Sequence, residues 1–249
     1  MDLARAAASA ALAAIALGAT PSPPPVRQLV YAFTYTNVAT MTEHDSGISA
    51  AAGAGRTASA PISGIAESQA ADSDLGTIAV AVLREQPDTG LIVSISEEAH
   101  YRRSSPAATC AVYGNTNVIC DPDVHVNTEE LALLRLLGSG FVDVDQIDAK
   151  NHWRVDQSGR HLSDVADFSI DADVDGILRI SSIRVLREID AIGFVSTTNG
   201  TITYDDARAV PTSILEDETT RQGAGVGSYN TVRTQTSLTL VRDSAAKTP

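Results

Sequence analysis

The sequence predicts a mainly β protein: a large antiparallel meander of about ten strands, curled like a half-barrel, with one short α-helix packed on its concave face. Three observations lead to this fold class. Polar and apolar residues alternate in successive runs over residues 162–242, which is the period of a strand with one buried face. Clusters of turn-forming residues separate the runs, and such short connections force neighbouring strands to pair antiparallel. One leucine-rich segment, residues 127–138, carries helix-start and helix-stop signals instead.

The N-terminus has the pattern of a secretory signal peptide, predicted as residues 1–19. Arg5 precedes an uncharged, alanine-rich run, and a proline-rich spacer follows at residues 20–26. A positive start, an apolar core and small residues at its end are typical of such a signal. The alternative is an uncleaved membrane anchor, but about 14 weakly apolar residues fall short of the roughly 20 that span a bilayer. We therefore expect an exported protein, periplasmic or extracellular, without a transmembrane span.

Composition limits the partners of the remaining chain. The formal net charge is −13, which argues against nucleic acid because phosphates require a basic surface. Aromatic residues make up 4% of the sequence, too few for a platform that stacks bases or sugars. Residues 27–243 are long enough for a single β-rich domain, and residues 244–249 form a short tail.

The first predicted strand carries an aromatic stripe, since Tyr31, Phe33 and Tyr35 fall on one face. Core packing explains such a stripe because aromatic rings bury large areas. The functional alternative is one wall of a pocket for an apolar ligand. Residues 45–74 follow and consist largely of Ala, Gly and Ser. They offer too little apolar surface to offset the entropy lost on ordering, so we expect a mobile loop.

The two cysteines predict a disulfide. Cys110 and Cys120 are symmetric about Asn115, so a hairpin folded there places them opposite each other. A cross-strand disulfide is the simplest result in an oxidising compartment. Their spacing suits neither a redox pair, which two residues normally separate, nor a zinc site, which needs four ligands.

Asn127 and Glu130 form a capping box, and Gly138 supplies a helix stop, so the sequence predicts one helix between them. About ten residues of helix are not stable alone, and its leucines must therefore pack on the sheet. Leu131 and Leu134 are the leucines that we expect to line a ligand site together with the aromatic stripe.

Two strands of the meander contain local conflicts. Within residues 177–189 the apolar set shifts by an odd offset, which predicts a bulge at Ser181 and Ser182. A helix is the alternative, although the β-branched residues favour a strand. Asn199 and Gly200 are a strong hairpin signal, yet a hairpin there would leave unusually short strands. We therefore expect Gly200 at a bulge or kink inside one long strand.

A weak calcium site is the one metal hypothesis, and no cofactor is expected otherwise. Asp171, Asp173, Asp175 and Gly176 match the first half of a calcium loop. Ser182 stands where the loop requires a bidentate Glu, and strands replace the expected helices. The alternative is a hairpin tip with solvated carboxylates. The five histidines, at positions 44, 100, 125, 152 and 161, show no metal-ligand spacing.

In layout, the predicted strand pattern resembles the half-barrels of periplasmic lipoprotein carriers, and no functional residue is carried over from them. A helix about 15 Å long is too short to cover strands about 40 Å long. The uncovered part predicts an apolar groove. The leading hypothesis is an exported, non-catalytic binding or carrier protein for an apolar, lipid-like ligand. The alternatives are a structural or assembly factor of the cell envelope that binds protein, and a hydrolase with dispersed carboxylates and a histidine.

Overall fold

The computed structural model describes residues 24–43, 67–86, 90–114, 116–142, 145–189, 193–225 and 228–245. These residues form one antiparallel sheet and one short helix, which confirms the predicted fold class, with the sheet at most partly curled. The elements in chain order are β1 Arg27–Glu43, β2 Glu67–Gln86, β3 Gly90–Ala99, β4 Ala108–Val112, β5 Val118–Cys120, α1 Thr128–Leu134, β6 His152–Asp156, β7 Leu162–Val174, β8 Ile177–Glu188, β9 Phe194–Asp205, β10 Val210–Gly225 and β11 Ser228–Asp243.

The sheet consists of two meanders joined side by side, the first formed by β1–β5 and the second by β6–β11. Its strand order is β5-β4-β3-β2-β1-β11-β10-β9-β8-β7-β6, so the first and last strands of the chain pair at the centre. The edge strands β5 and β6 are consecutive in the sequence. The chain between them therefore passes from one edge of the sheet to the other, about 48 Å along a flat sheet at ~4.8 Å per strand. The described residues of this connection, 121–142 and 145–151, are called the inner segment below.

The inner segment covers one face of the sheet, called the inner face. Its leucines Leu133 and Leu134 are fully buried and belong to one core with the sheet. The sheet residues of this core that are 2% exposed or less are Leu29, Tyr31, Phe33, Ile78, Val80, Val93, Ile95, Ala108, Cys110, Val112, Ile180, Ile202, Tyr204, Val210, Ile214 and Leu238. The core therefore lies between the inner segment and the strands on both sides of the β1–β11 pair.

Helix α1 is shorter than the sequence predicts. The capping box is present, with the Asn127 backbone N–H donating to Glu130 Oε2 at 2.8 Å. The helix ends at Leu134. Leu136 and Leu137 are buried in the following turn, where their N–H groups bond three residues back, to Leu133 and Leu134. Gly138 adopts a φ of +89°, as its predicted role as a stop requires.

The strand geometry confirms one prediction within the second meander in part and corrects another. Gly200 lies inside the continuous strand β9, opposite Ser182 and Glu216. The register on both sides of β9 shows no bulge at Gly200. The predicted bulge at Ser181 and Ser182 is wrong, because β8 keeps its register there and the bulge falls in β7 after Ile170. β8 therefore keeps one phase, so Ser182 stays on the inner face and the apolar Ile183 is 53% exposed on the opposite, outer face.

The other predictions of chain organisation have mixed outcomes. Cys110 and Cys120 form the predicted disulfide, across the β4–β5 pair. Strand β2 begins at Glu67, so residues 67–74 belong to a strand and not to the predicted loop. The rest of that loop and the signal peptide lie outside the described residues.

Gly76 is the glycine of β2 that the packing requires, and its replacement should destabilise the fold. A Cβ there would lie 2.1 Å from the Glu98 backbone oxygen and 2.7 Å from Phe33 Cε1. Since backbone must move, Gly76→Ala should lower the free energy of unfolding by about 1–3 kcal/mol. Gly159→Ala is the matched control, because a Cβ added there would have nothing within 4 Å. Urea unfolding of both variants measures the difference, and equal stability of the two would contradict the packing.

Candidate ligand-binding cleft

An open cleft of about 1180 Å³ lies at one end of the sheet. It forms where β1, β3 and β10 begin and β2 and β4 end. Residues 137–140 of the inner segment form part of its lining. Ligand pockets are typically about 300–1,000 Å³, so this cleft has room for a small molecule with a long apolar part. The larger aliphatic residues of its lining are Leu29, Val82, Leu91, Val112, Ile119, Leu137 and Val210.

Glycines allow the walls of the cleft to approach closely. A Cβ on Gly140 would lie 2.4 Å from Gly114 Cα, so the inner segment and the β4–β5 connection are in backbone contact. Gly90 has a φ of +99°, and a Cβ there would lie 1.9 Å from the Val112 backbone oxygen. All four residues line the cleft. Its shape therefore depends on positions where a side chain has no room.

A network of charged side chains forms the polar rim of the cleft. Arg27 donates to both carboxylate oxygens of Asp243, at 2.9 and 2.6 Å. Arg208 donates from Nε to Asp205 at 2.6 Å and from Nη1 to Asp243 at 3.4 Å. The hydrogen bonds from Arg27 lower the pKa of Asp243 despite partial burial. Arg27 and Arg208 both line the cleft, so fixed guanidinium donors lie among its aliphatic side chains.

The predicted ligand-binding residues lie elsewhere. Tyr31, Phe33 and Leu134 are 0–2% exposed within the core, and the Tyr31 hydroxyl donates to the Pro211 carbonyl at 2.9 Å. Leu131 and Tyr35 are half-buried. None of the five lines the cleft, so the structure assigns the aromatic stripe to the core, and a ligand contact by these residues stays a prediction.

Beside the helix the space is small and contains charged side chains. A cavity of about 40 Å³ lies there, lined in part by Arg135, Arg184 and Glu216. Burial lowers the pKa of Arg135 to about 10 and raises that of Glu216. Arg184 Nε donates to Asp164 at 2.7 Å. An apolar chain does not fit among these groups, so the groove predicted beside the helix is replaced by the cleft at the strand ends.

The start of the helix is fixed to the sheet by five charged residues, called the ionic cluster: Asp74, Glu97, Arg102, Glu129 and Glu130. All four carboxylate residues are 6% exposed or less. Arg102 pairs with Asp74, Glu97 and Glu129. The single guanidinium thus joins strands β2 and β3 to the first turn of α1.

The position of Arg102 is set by its neighbours. Burial opposes ionisation of Asp74, but the backbone N–H groups of Tyr101, Leu75, Arg102 and His100 bond its carboxylate and lower its pKa. This carboxylate holds the turn after β3. The Arg102 guanidinium then lies over the rings of Phe33 and Tyr35, at 5.4 and 5.1 Å from their centres, a favourable cation–π geometry.

The metal and hydrolase hypotheses gain no support from the geometry. Asp175 and Gly176 form the tip of the β7–β8 hairpin, where Asp173 and Asp171 bond the Gly176 N–H and the Ser181 hydroxyl. In the part of the chain that the structure describes, no group of three or more Asp, Glu, His or Cys side chains is placed to hold a metal ion. His152 lies 3.6 Å from Asp167, but on an exposed edge strand.

Comparisons with known proteins identify no family for this chain. No family model and no curated protein matches it. It is similar to a solved structure of lipovitellin described for its lipid–protein interactions, with 9% identity and a TM-score of 0.43. The match covers 92% of this chain and 26% of the lipovitellin chain. A likeness this weak carries no argument about function.

No helix of the described residues has both the length and the apolar character that a membrane span requires.

Glu130 should make the free energy of unfolding depend on pH, and replacing Glu130 with Gln should remove that contribution. Burial raises its pKa despite hydrogen bonds from the Asn127 N–H and the Ser105 hydroxyl. A raised pKa means that the folded state loses stability as pH rises from the unfolded pKa of about 4.3 through the folded value. Glu130→Gln keeps the capping box and should be more stable than the parent at pH 7.

The comparison is made by urea unfolding at pH 7 and at pH 4. The advantage of Glu130→Gln over the parent should shrink at the lower pH, because both side chains are then neutral. The control is Glu98→Gln. Glu98 is exposed and follows Glu97 of the ionic cluster, so this replacement should change stability little. If the stability difference between Glu130→Gln and the parent favours the variant more at pH 4 than at pH 7, the pKa of Glu130 is not raised in the folded protein.

Proposed function

We propose that this protein is an exported, non-catalytic binding or carrier protein that holds an apolar, lipid-like ligand in the cleft. The observation that carries the proposal is a cleft of about 1180 Å³ that is lined by aliphatic side chains together with fixed charged groups. Sites for small molecules commonly combine an apolar lining with a few fixed polar groups. The core itself is closed around Tyr31 and Phe33, so the cleft is the place where an apolar chain has room.

Export is supported by two features of the chain. Residues 1–19 have the pattern of a signal peptide. The Cys110–Cys120 disulfide is typical of proteins in oxidising compartments, since cytosolic thiols are kept reduced. Both features agree with a carrier that acts in the periplasm or outside the cell.

A second candidate function is an envelope assembly factor that binds another protein through the outer face. Large apolar side chains are exposed there, with Ile183, Leu215 and Leu75 each 49–55% exposed. Polar partners separate them along the sheet, such as Asn199 beside Ile183 and Thr201 beside Leu215. The apolar side chains are thus scattered singly, which is normal for a protein surface, and the cleft remains the better-supported site.

Blocking the cleft should abolish binding of an uncharged apolar probe. Ser139 is exposed and lines the cleft, so Ser139→Trp should obstruct the cleft without removing a core side chain. N-phenyl-1-naphthylamine should brighten on the parent protein and bind at least about tenfold more weakly to this variant, a loss of roughly 1.4 kcal/mol or more.

The matched control is Ser73→Trp, at an exposed position of β2 outside the cleft lining. It should bind the probe like the parent, and thermal unfolding should show both variants folded. A probe that stays dim on the parent protein, or that loses affinity equally in both variants, would falsify the proposal and favour the envelope factor.

A further inference from the structure

We infer that the ligand of the cleft is an amphiphile with an anionic headgroup, a carboxylate or a phosphate, which Arg208 binds at the rim. This inference rests on the proposed function, because it names the chemical class of the molecule that the cleft holds. It is carried by hydrogen-bond donors that line the cleft without partners and by carboxylates that are already occupied.

Arg208 is a half-buried guanidinium held in place with donors to spare. Its Nε bonds Asp205 at 2.6 Å, and its Nη1 is 3.4 Å from Asp243. Among the described residues nothing accepts a hydrogen bond from its Nη2 group. The Arg208 side chain is 36% exposed and lines the cleft. A fixed guanidinium with open N–H groups is suited to a carboxylate or phosphate oxygen.

The backbone beside Arg208 adds two further donors. The Gly138 N–H donates to the Ala209 carbonyl at 3.1 Å, which fixes the turn after the helix next to Arg208. Ser139 and Gly140 follow and line the cleft, and their N–H groups bond no described residue. Successive free N–H groups after a residue with positive φ, here Gly138, form a common anion-binding arrangement.

The carboxylates beside Arg208 already have hydrogen-bond partners, so they do not occupy its open N–H groups. Asp243 accepts hydrogen bonds from Arg27, Arg208 and the Ala245 N–H. Asp205 accepts from both the backbone and the side chain of Arg208. These two carboxylates balance the two arginines in charge, and their oxygens are occupied. Glu85 is an exposed carboxylate that also lines the cleft, so the anion is expected at Arg208 and not along the whole rim.

The test compares ligands that differ in the headgroup alone. Dodecanoic acid, dodecyl phosphate and dodecanol compete with N-phenyl-1-naphthylamine on the full protein. The two anions should displace the probe at concentrations at least about tenfold lower than those needed with dodecanol, because charge-assisted hydrogen bonds are stronger than neutral ones. Inorganic phosphate alone should not displace it, because the apolar chain supplies the affinity in the cleft.

Arg208→Gln should bring displacement by the anions to the level of dodecanol, whereas Arg179→Gln, at an exposed position of β8, should keep the preference. Thermal unfolding of both variants shows whether they are folded. Equal displacement by acid and alcohol on the parent would overturn the inference while the proposed function stands. No displacement by any chain, or displacement by inorganic phosphate as good as by dodecyl phosphate, would overturn both.

Discussion

The pairing of β1 with β11 is the constraint on which the rest of the structure depends. It places the first and last strands of the chain at the centre of one sheet, and so leaves β5 and β6 at opposite edges. Because β5 and β6 are consecutive in the sequence, the connection between them has to cross a face of the sheet. That crossing puts the buried Leu133, Leu134 and Phe141 over the inner face, and a single connection thereby covers the apolar core of both meanders.

The crossing also explains where the cleft lies. Near β3 the inner segment is fixed by Arg102, which pairs with Glu97 on the strand and Glu129 on the helix. At the other end the Tyr204 hydroxyl donates to the Gly138 carbonyl at 2.7 Å, and Phe141 packs against the aromatic rings of the second meander. Residues 137–140 lie at the second of these anchors. They pass along the edge of the sheet where β1 begins and β2 and β4 end, and the space there stays open.

Local patterns in the sequence predicted the strands, the disulfide and the position of the helix, since each depends on neighbours a few residues away. They did not predict the β1–β11 pairing, which joins residues about two hundred positions apart. The inner face of β8 was also misread, because Ser182 and Arg184 are polar residues on a buried face and Ile183 is an apolar residue on an exposed one. The cleft is assembled from strand ends that only this pairing brings together, and no local pattern marks it.

The central claim is that an apolar chain binds in the cleft and not on the outer face, and photo-crosslinking tests it most directly. A dodecanoic acid with a diazirine at the end of its chain is irradiated with the full protein, and the modified peptides are identified by mass spectrometry. The account predicts adducts at residues 112–114, 117, 119 and 137–140, which line the cleft, and their loss when excess dodecanoic acid competes. Adducts concentrated at outer-face positions such as Ile183 and Leu215 would contradict it.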